Sequence, residues 1–106
     1  MKAGVRLAMG VDGASPNWMV GVSARELELL VKAGLTPQQA LAAATMNGAA
    51  LLRKDRELGS IAPGYFADLV AVDGDPLKNI GLIDNVRWVM KDGAVVFESM
   101  GSRNPR

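Results

Sequence analysis

Apolar positions crowd the first run of the chain, Val5-Arg6-Leu7-Ala8-Met9-Gly10-Val11. The run ends on Asp12 and gives way to the loop Gly13-Ala14-Ser15-Pro16-Asn17-Trp18. A short apolar run bounded by turn residues predicts a strand over Gly4–Asp12. The period then becomes helical. Ala24, Leu27, Leu30 and Val31 recur on one helix face, Ser23 and Glu26 have capping-box spacing, and Gly34 is placed to stop the helix in a left-handed conformation. Glu28 and Lys32 stand four residues apart, in the favourable order, on the exposed side. A second helix follows at once, with Thr36 as N-cap, Pro37 at the first helical position and Gln39 completing another capping box. It is expected to run on to Leu52. Its many small residues predict close approach to another element, and Met46 and Leu51 are expected in the core. Asn47-Gly48 either bends this helix or approaches a neighbouring loop.

The mixed cluster Arg53-Lys54-Asp55-Arg56-Glu57 reads as a solvated helix end, and Leu58 to Gly64 as a turn-rich connection. From there the period is extended. Ala67-Asp68-Leu69-Val70-Ala71-Val72 predicts a strand whose continuous apolar character implies burial on both faces. Asp73-Gly74-Asp75-Pro76 closes it with a turn, and Leu77 to Asn85 reads as a short helical turn. Val86–Lys91 and Ala94–Glu98 flank Asp92-Gly93, a strong signal for a tight hairpin. The tail from Ser99 to Arg106 is polar and expected to fray. The order is therefore strand, helix, helix, strand, hairpin. The first strand, with two open edges and apolar faces, needs partners beyond these elements.

Composition narrows the classes of function. A chain of 106 residues with 49% hydrophobic and 22% charged residues is at most one domain and not a disordered one, with a core expected to be built mainly of Leu, Val, Ala and Met. A net charge of +1 gives no electrostatic reason to expect nucleic acid or an anionic membrane as partner. No apolar run approaches the roughly 18 residues of a membrane span, and the start lacks a signal-peptide apolar region. A cytoplasmic address is expected. The chain has no cysteine and no histidine. That excludes disulfides, Cys or Ser-His nucleophilic machinery, and a self-contained zinc site of ordinary nitrogen and sulfur ligands. The carboxylate left in a position for chemistry is Asp12, because reactive groups gather at the carboxyl ends of parallel strands. Asp12-Gly13 also reads as an easy turn. Trp18 and Met19 read as a plug packed under their loop in preference to a pocket lining.

The motifs in series resemble a known family. Gly4 to Asp12, with its Gly10-Val11-Asp12 ending, resembles the last barrel strand of the amidohydrolase superfamily of metal-dependent hydrolases. Gly34-Leu35-Thr36-Pro37, with Ala40-Leu41 and Ala43-Ala44-Thr45, is similar to that family's last helices. Leu58-Gly59-Ser60-Ile61, Pro63-Gly64 and Ala67-Asp68-Leu69-Val70 resemble its return into a β-sandwich. Asp73-Gly74-Asp75-Pro76-Leu77 and Val89-Met90-Lys91-Asp92-Gly93 continue the match, which is nearest to imidazolonepropionase-like and prolidase-like members.

The resemblance implies an α/β fold: the last β/α unit of a TIM-type barrel, then strands of a small accessory β-sandwich, together a partial domain. Residues 1–57 would be the barrel part, 58–98 the returning strands and 99–106 a flexible tail. It further implies hydrolysis of carbon–nitrogen bonds (amide, cyclic amide or dipeptide) in a small-molecule substrate. Asp12 would be metal ligand and general base for a divalent metal, zinc, as one or two ions in the complete protein and none bound by this chain alone. The family's other ligands, a His-x-His pair, a carbamylated Lys or Glu and two further His, have no counterpart here. The expected partner is therefore a missing N-terminal barrel portion or a second copy of the chain. Val11 stands where the family usually carries Thr, and the loop after Asp12 lacks a frequent His, which leaves the substrate open. The alternative is a non-catalytic fragment or interaction module that folds by association.

Overall fold

The computed structural model describes residues 4–10 and 23–99. Asp12, the loop that follows it through Val22, and the tail beyond Ser99 lie outside the described residues, and with them the expectations for Trp18 and Met19.

Local signals decide the helices. Helix α1 spans Ser23–Lys32, with Ser23 as its first helical residue; the expected Ser23 cap lies outside what is described. It ends as the sequence predicts: Gly34 has φ +123, its N–H donates to Val31 O at 3.0 Å, and the Leu35 N–H donates to Leu30 O at 3.1 Å. This pair of bonds is the Schellman pattern, in which the two residues past the helix satisfy its last carbonyls. Helix α2 spans Pro37–Ala44. Its capping box is complete, with Gln39 N donating to Thr36 Oγ1 at 3.1 Å and Thr36 N donating to Gln39 Oε1 at 2.9 Å.

The second helix does not run unbroken to Leu52. It stops at Thr45 (φ −122, ψ −87), and α3 resumes over Met46–Leu51. Thr45 donates its hydroxyl to Leu41 O at 2.7 Å, a back-bond that competes with the helix ladder and bends it. The break thus falls just before Asn47-Gly48. Helix α3 closes with a second Schellman pattern, Arg53 N to Ala50 O and Lys54 N to Ala49 O, here with Arg53 rather than glycine at φ +59. Glu28 and Lys32 are not among the ion pairs of the described residues, which are Lys54–Glu57, Arg87–Asp73 and Lys91–Asp68.

The second half is a three-stranded antiparallel sheet, β1 (Leu69–Val72), β2 (Val86–Lys91) and β3 (Ala94–Glu98), in the order β1-β2-β3. The hairpin falls where the sequence places it. Lys91 pairs with Ala94, and Asp92 (φ +50) and Gly93 (φ +81) both take the left-handed conformations of a type I′ turn. A 3-10 turn over Ile80–Asp84, capped by Asn79, lies between β1 and β2. Each pairing carries a register shift, leaving Arg87 of β2 unmatched against β1 and Val96 of β3 unmatched against β2. The expected strand at 67–72 is shortened to Leu69–Val72 and is not buried on both faces: Val70 is 57% exposed. Among the described residues it is an edge strand, paired only with β2.

The expected strand over Gly4–Asp12 lies within the described residues only as far as Gly10. Residues 4–10 pair with no strand among the described residues. Leu7 and Met9 are half-buried while their neighbours are exposed, the alternation of an extended segment lying on one surface. That surface is helical. The Met9 N–H donates to Ala43 O at 2.8 Å, and Asn47 Nδ2 donates to Leu7 O at 2.9 Å.

Among the described residues the buried set is small: Leu27, Leu35, Ala40, Ala43, Ala49 and Ile80. Leu27, Ala40 and Ile80 form its centre, joining α1, α2 and the 3-10 turn, with Met9, Leu30, Val31, Leu41, Ala44 and Ile83 packed around them. The small residues of α2 and α3 do permit close approach, since Ala40 and Ala43 are at most 1% exposed. Met46 (49% exposed) and Leu51 (73%) are not core residues. Helical spacing identifies an apolar face, but nothing in the described residues covers this one. Val and Met, expected in the core, supply none of the buried members among the described residues.

Candidate functional site

Two clefts flank the N-terminal segment. One, of about 180 Å³, is lined by Val5, Arg6, Leu7, Leu35, Gln39, Ala42 and Asn47. The other, of about 370 Å³, is lined by Arg6, Leu7, Ala8, Asn47, Ala50 and Leu51. Neither lining contains a carboxylate, so neither cleft supplies the acid–base pair that hydrolysis needs. What they show is how the segment leading to Asp12 is seated. Its Leu7 carbonyl and Met9 N–H point to one side and are both taken up by the junction of α2 and α3. Asn47 carries half of that seating, its side chain half-buried. Sequence reading placed Asn47 near a bend or a neighbouring loop; the structure gives it the loop contact, to a residue 40 positions away.

A third hollow, of about 410 Å³, lies between the helices and the sheet and is mostly apolar, with Leu27, Leu41, Ile61, Phe66 and Val70 in its wall. Asp68 is its carboxylate, and that carboxylate is already engaged. Oδ1 accepts from the Asp92 backbone N–H at 2.8 Å, and Oδ2 accepts from Lys91 Nζ at 3.1 Å. The Asp92 N–H first, and the Lys91 ammonium second, hold the Asp68 carboxyl below its ordinary value. Gly93 N also donates to Ala67 O at 3.0 Å, so the hairpin turn is tied to the entry of β1 at two points. Asp68 is a residue whose task sequence reading missed. The signal was there in the Ala67-Asp68 pair just before a strand, opposite a Lys91-Asp92-Gly93 turn that offers a cation and free N–H groups.

No group of three or more His, Cys, Asp or Glu side chains converges among the described residues, and the whole chain has neither His nor Cys. Asp68 and Asp73 are committed to Lys91 and Arg87. The residues described here do not make a metal site, and a lone carboxylate at Asp12 does not complete one.

Comparison with known proteins places this architecture. The family model described as the amidohydrolase family matches residues 1–96. The ochratoxinase of Aspergillus niger is 33% identical over 116 residues, covering 99% of this chain and 23% of its own length. The imidazolonepropionase of Shouchella clausii is 33% identical over 104 residues, covering 92% of this chain and 23% of its own. The solved structure of a Xaa-Pro dipeptidase superposes with a TM-score of 0.82 at 38% identity, over 92% of this chain and 23% of that one. The chain thus spans about a quarter of the length of the relatives it matches. With a family model covering nearly all of it and solved relatives of the same backbone, the chain belongs to the amidohydrolase family.

Proposed function

We propose that residues 1–106 form the C-terminal part of a metal-dependent hydrolase acting on carbon–nitrogen bonds in a small-molecule substrate. In this reading residues 4–12 are the last strand of a (β/α)8 barrel, α1 to α3 complete its final β/α unit, and β1 to β3 belong to an accessory β-domain. The observation that carries the reading is the family match over residues 1–96, together with relatives covered over about a quarter of their length that include a dipeptidase and an imidazolonepropionase. The seating of residues 4–10 on the α2–α3 junction supports it, because it packs the segment that precedes Asp12 in sequence against these helices.

Asp12 is the one residue of this chain given a chemical role. It is a metal ligand and the general base that takes the proton from the attacking water. The metal is a divalent ion, zinc by the family's habit, in one or two copies. Since the described residues do not build a metal site and the chain has neither His nor Cys, the remaining ligands come from a polypeptide that supplies the rest of the barrel. That polypeptide is the partner proposed here. It would also cover the open flanks of the N-terminal segment.

The test is Asp12→Ala in the intact protein, with turnover, bound metal and melting temperature measured together. Turnover should fall by at least about a thousandfold and metal content should drop, with the melting temperature nearly unchanged. Full activity with full metal content would remove Asp12 from the site.

A further inference from the structure

We propose that the free edge of β1 and the apolar hollow beside it are a docking site for an extended, apolar strand; this rests on the reading above, in which a further polypeptide supplies the rest of the protein. Two bonds fix which way the backbone of β1 points. Ala67 O accepts from the Gly93 N–H at 3.0 Å, and Asp73 N donates to Asn85 O at 3.1 Å, both on the side of β2 and its hairpin. Successive residues of a strand present their N–H and C=O groups to opposite edges, so Leu69 and Ala71 share the β2 side with Ala67 and Asp73. Val70 and Val72 turn their main-chain groups the other way, where no strand lies among the described residues.

The hollow of about 410 Å³ borders that same edge. Its wall takes in Asp68, Leu69 and Val70 in succession and no residue of β2 or β3. Consecutive side chains of a strand point to opposite faces, so a hollow that reaches three in a row runs along the edge and not under one face. The helices contribute Leu27, Leu41 and Ala44 to the wall. Polar side chains that could orient a small ligand there are committed: the Asp68 carboxylate to Asp92 N and Lys91 Nζ, and the Thr45 hydroxyl to Leu41 O. Apart from Ser60, the hydrogen-bonding capacity left at this wall is main chain. A strand added to an edge uses both features at once, because its backbone pairs with the edge and its alternate side chains fill the apolar space. Ile61, Phe66 and Val70, exposed in this chain, are the side chains it covers. Leu69–Val72 has no lysine or proline to turn such a neighbour away. The strand comes from the further polypeptide, since the chain spans about a quarter of the length of its relatives and the rest of such a protein lies outside it.

The test is amide hydrogen exchange in the intact protein. The Val70 and Val72 amides should exchange within about tenfold of those of Leu69 and Ala71, because both edges of β1 are then paired. Exchange more than about tenfold faster overturns the proposal. That is also the outcome for an apolar small molecule in the hollow, which fills the space and leaves the edge unpaired. Protection that is lost on dilution to a monomer, followed by sedimentation, overturns it as well, by assigning the edge to a second copy. Val70→Lys gives a second readout. With a strand docked, the ammonium is forced into apolar surroundings and the melting temperature should fall by at least about 3 °C. A smaller shift means that position 70 stays in water, and overturns the proposal. Turnover and bound metal in the same preparation keep two failures apart. An open edge in an active, metal-loaded protein removes the docked strand alone. A paired edge in a protein with neither activity nor metal removes the hydrolase reading alone.

Discussion

At the scale of single residues, Asp68 shows how a surface carboxylate becomes structural. It accepts from the Asp92 N–H and from Lys91, and its folded pKa lies below the ordinary 3.8. A lowered carboxyl pKa stabilises the fold above the unfolded value. That contribution is lost as pH falls through the folded value. Asp68→Ala should therefore melt at lower temperature than the parent at pH 7, and the gap should close as the scan is repeated from pH 4 downward. A gap that stays constant with pH would assign the effect to packing. Two backbone positions make opposite predictions. Arg53 holds φ +59 in the cap of α3, a conformation that costs a side-chain-bearing residue about 1–2 kcal/mol, partly offset by the freedom glycine has when unfolded. Arg53→Gly should raise stability by roughly 0.5–1 kcal/mol in a denaturant titration. Gly59 has φ +93, and a Cβ there would meet Ala49 Cβ and Thr45 O at 2.9 Å. Gly59→Ala should lower stability by roughly 2–3 kcal/mol in the same titration.

At the scale of elements, what was legible in the sequence is what local chemistry decides. Thr36, Pro37 and Gln39 announce α2, and the hydrogen bonds of the capping box form as spaced. Thr36→Ala should cost about 1 kcal/mol while Thr36→Ser keeps most of it, read from denaturation midpoints. Asp92-Gly93 announces its turn for the same reason, since only a few residue types accept two left-handed conformations in succession. Burial was not legible, because it depends on what lies opposite. Met46, Leu51 and Val70 have the apolar character of core residues and stand exposed. The break at Thr45 was missed because threonine in a helix either back-bonds or does not, and spacing carries no trace of the choice. Asp12, the residue on which the sequence placed the chemistry, lies beyond the described segment; the structure contributes the approach to it.

At the scale of the whole molecule, Val5, Met46, Leu51, Leu52 and Ile61 are among the exposed apolar side chains of the described residues, and apolar faces of this kind mark interfaces. On its own the chain should bind a dye for exposed apolar surface and associate with rising concentration in sedimentation. A monodisperse, dye-silent monomer would show that these faces need no partner.

The two register shifts that bracket β2, at Arg87 and Val96, have a consequence for how the sheet behaves beside its own kind. Each unmatched residue tightens the right-handed coil of the ribbon. The outer strand Ala94–Glu98 has three consecutive large apolar side chains, Val95, Val96 and Phe97, and neither proline nor lysine to discourage a neighbour. Flat stacking into a fibril needs a straight ladder, and a coiled ribbon offers one only over a residue or two. The irregularity at Val96 should therefore slow edge-to-edge growth of the strand. Its deletion would straighten the edge and quicken fibril formation under agitation.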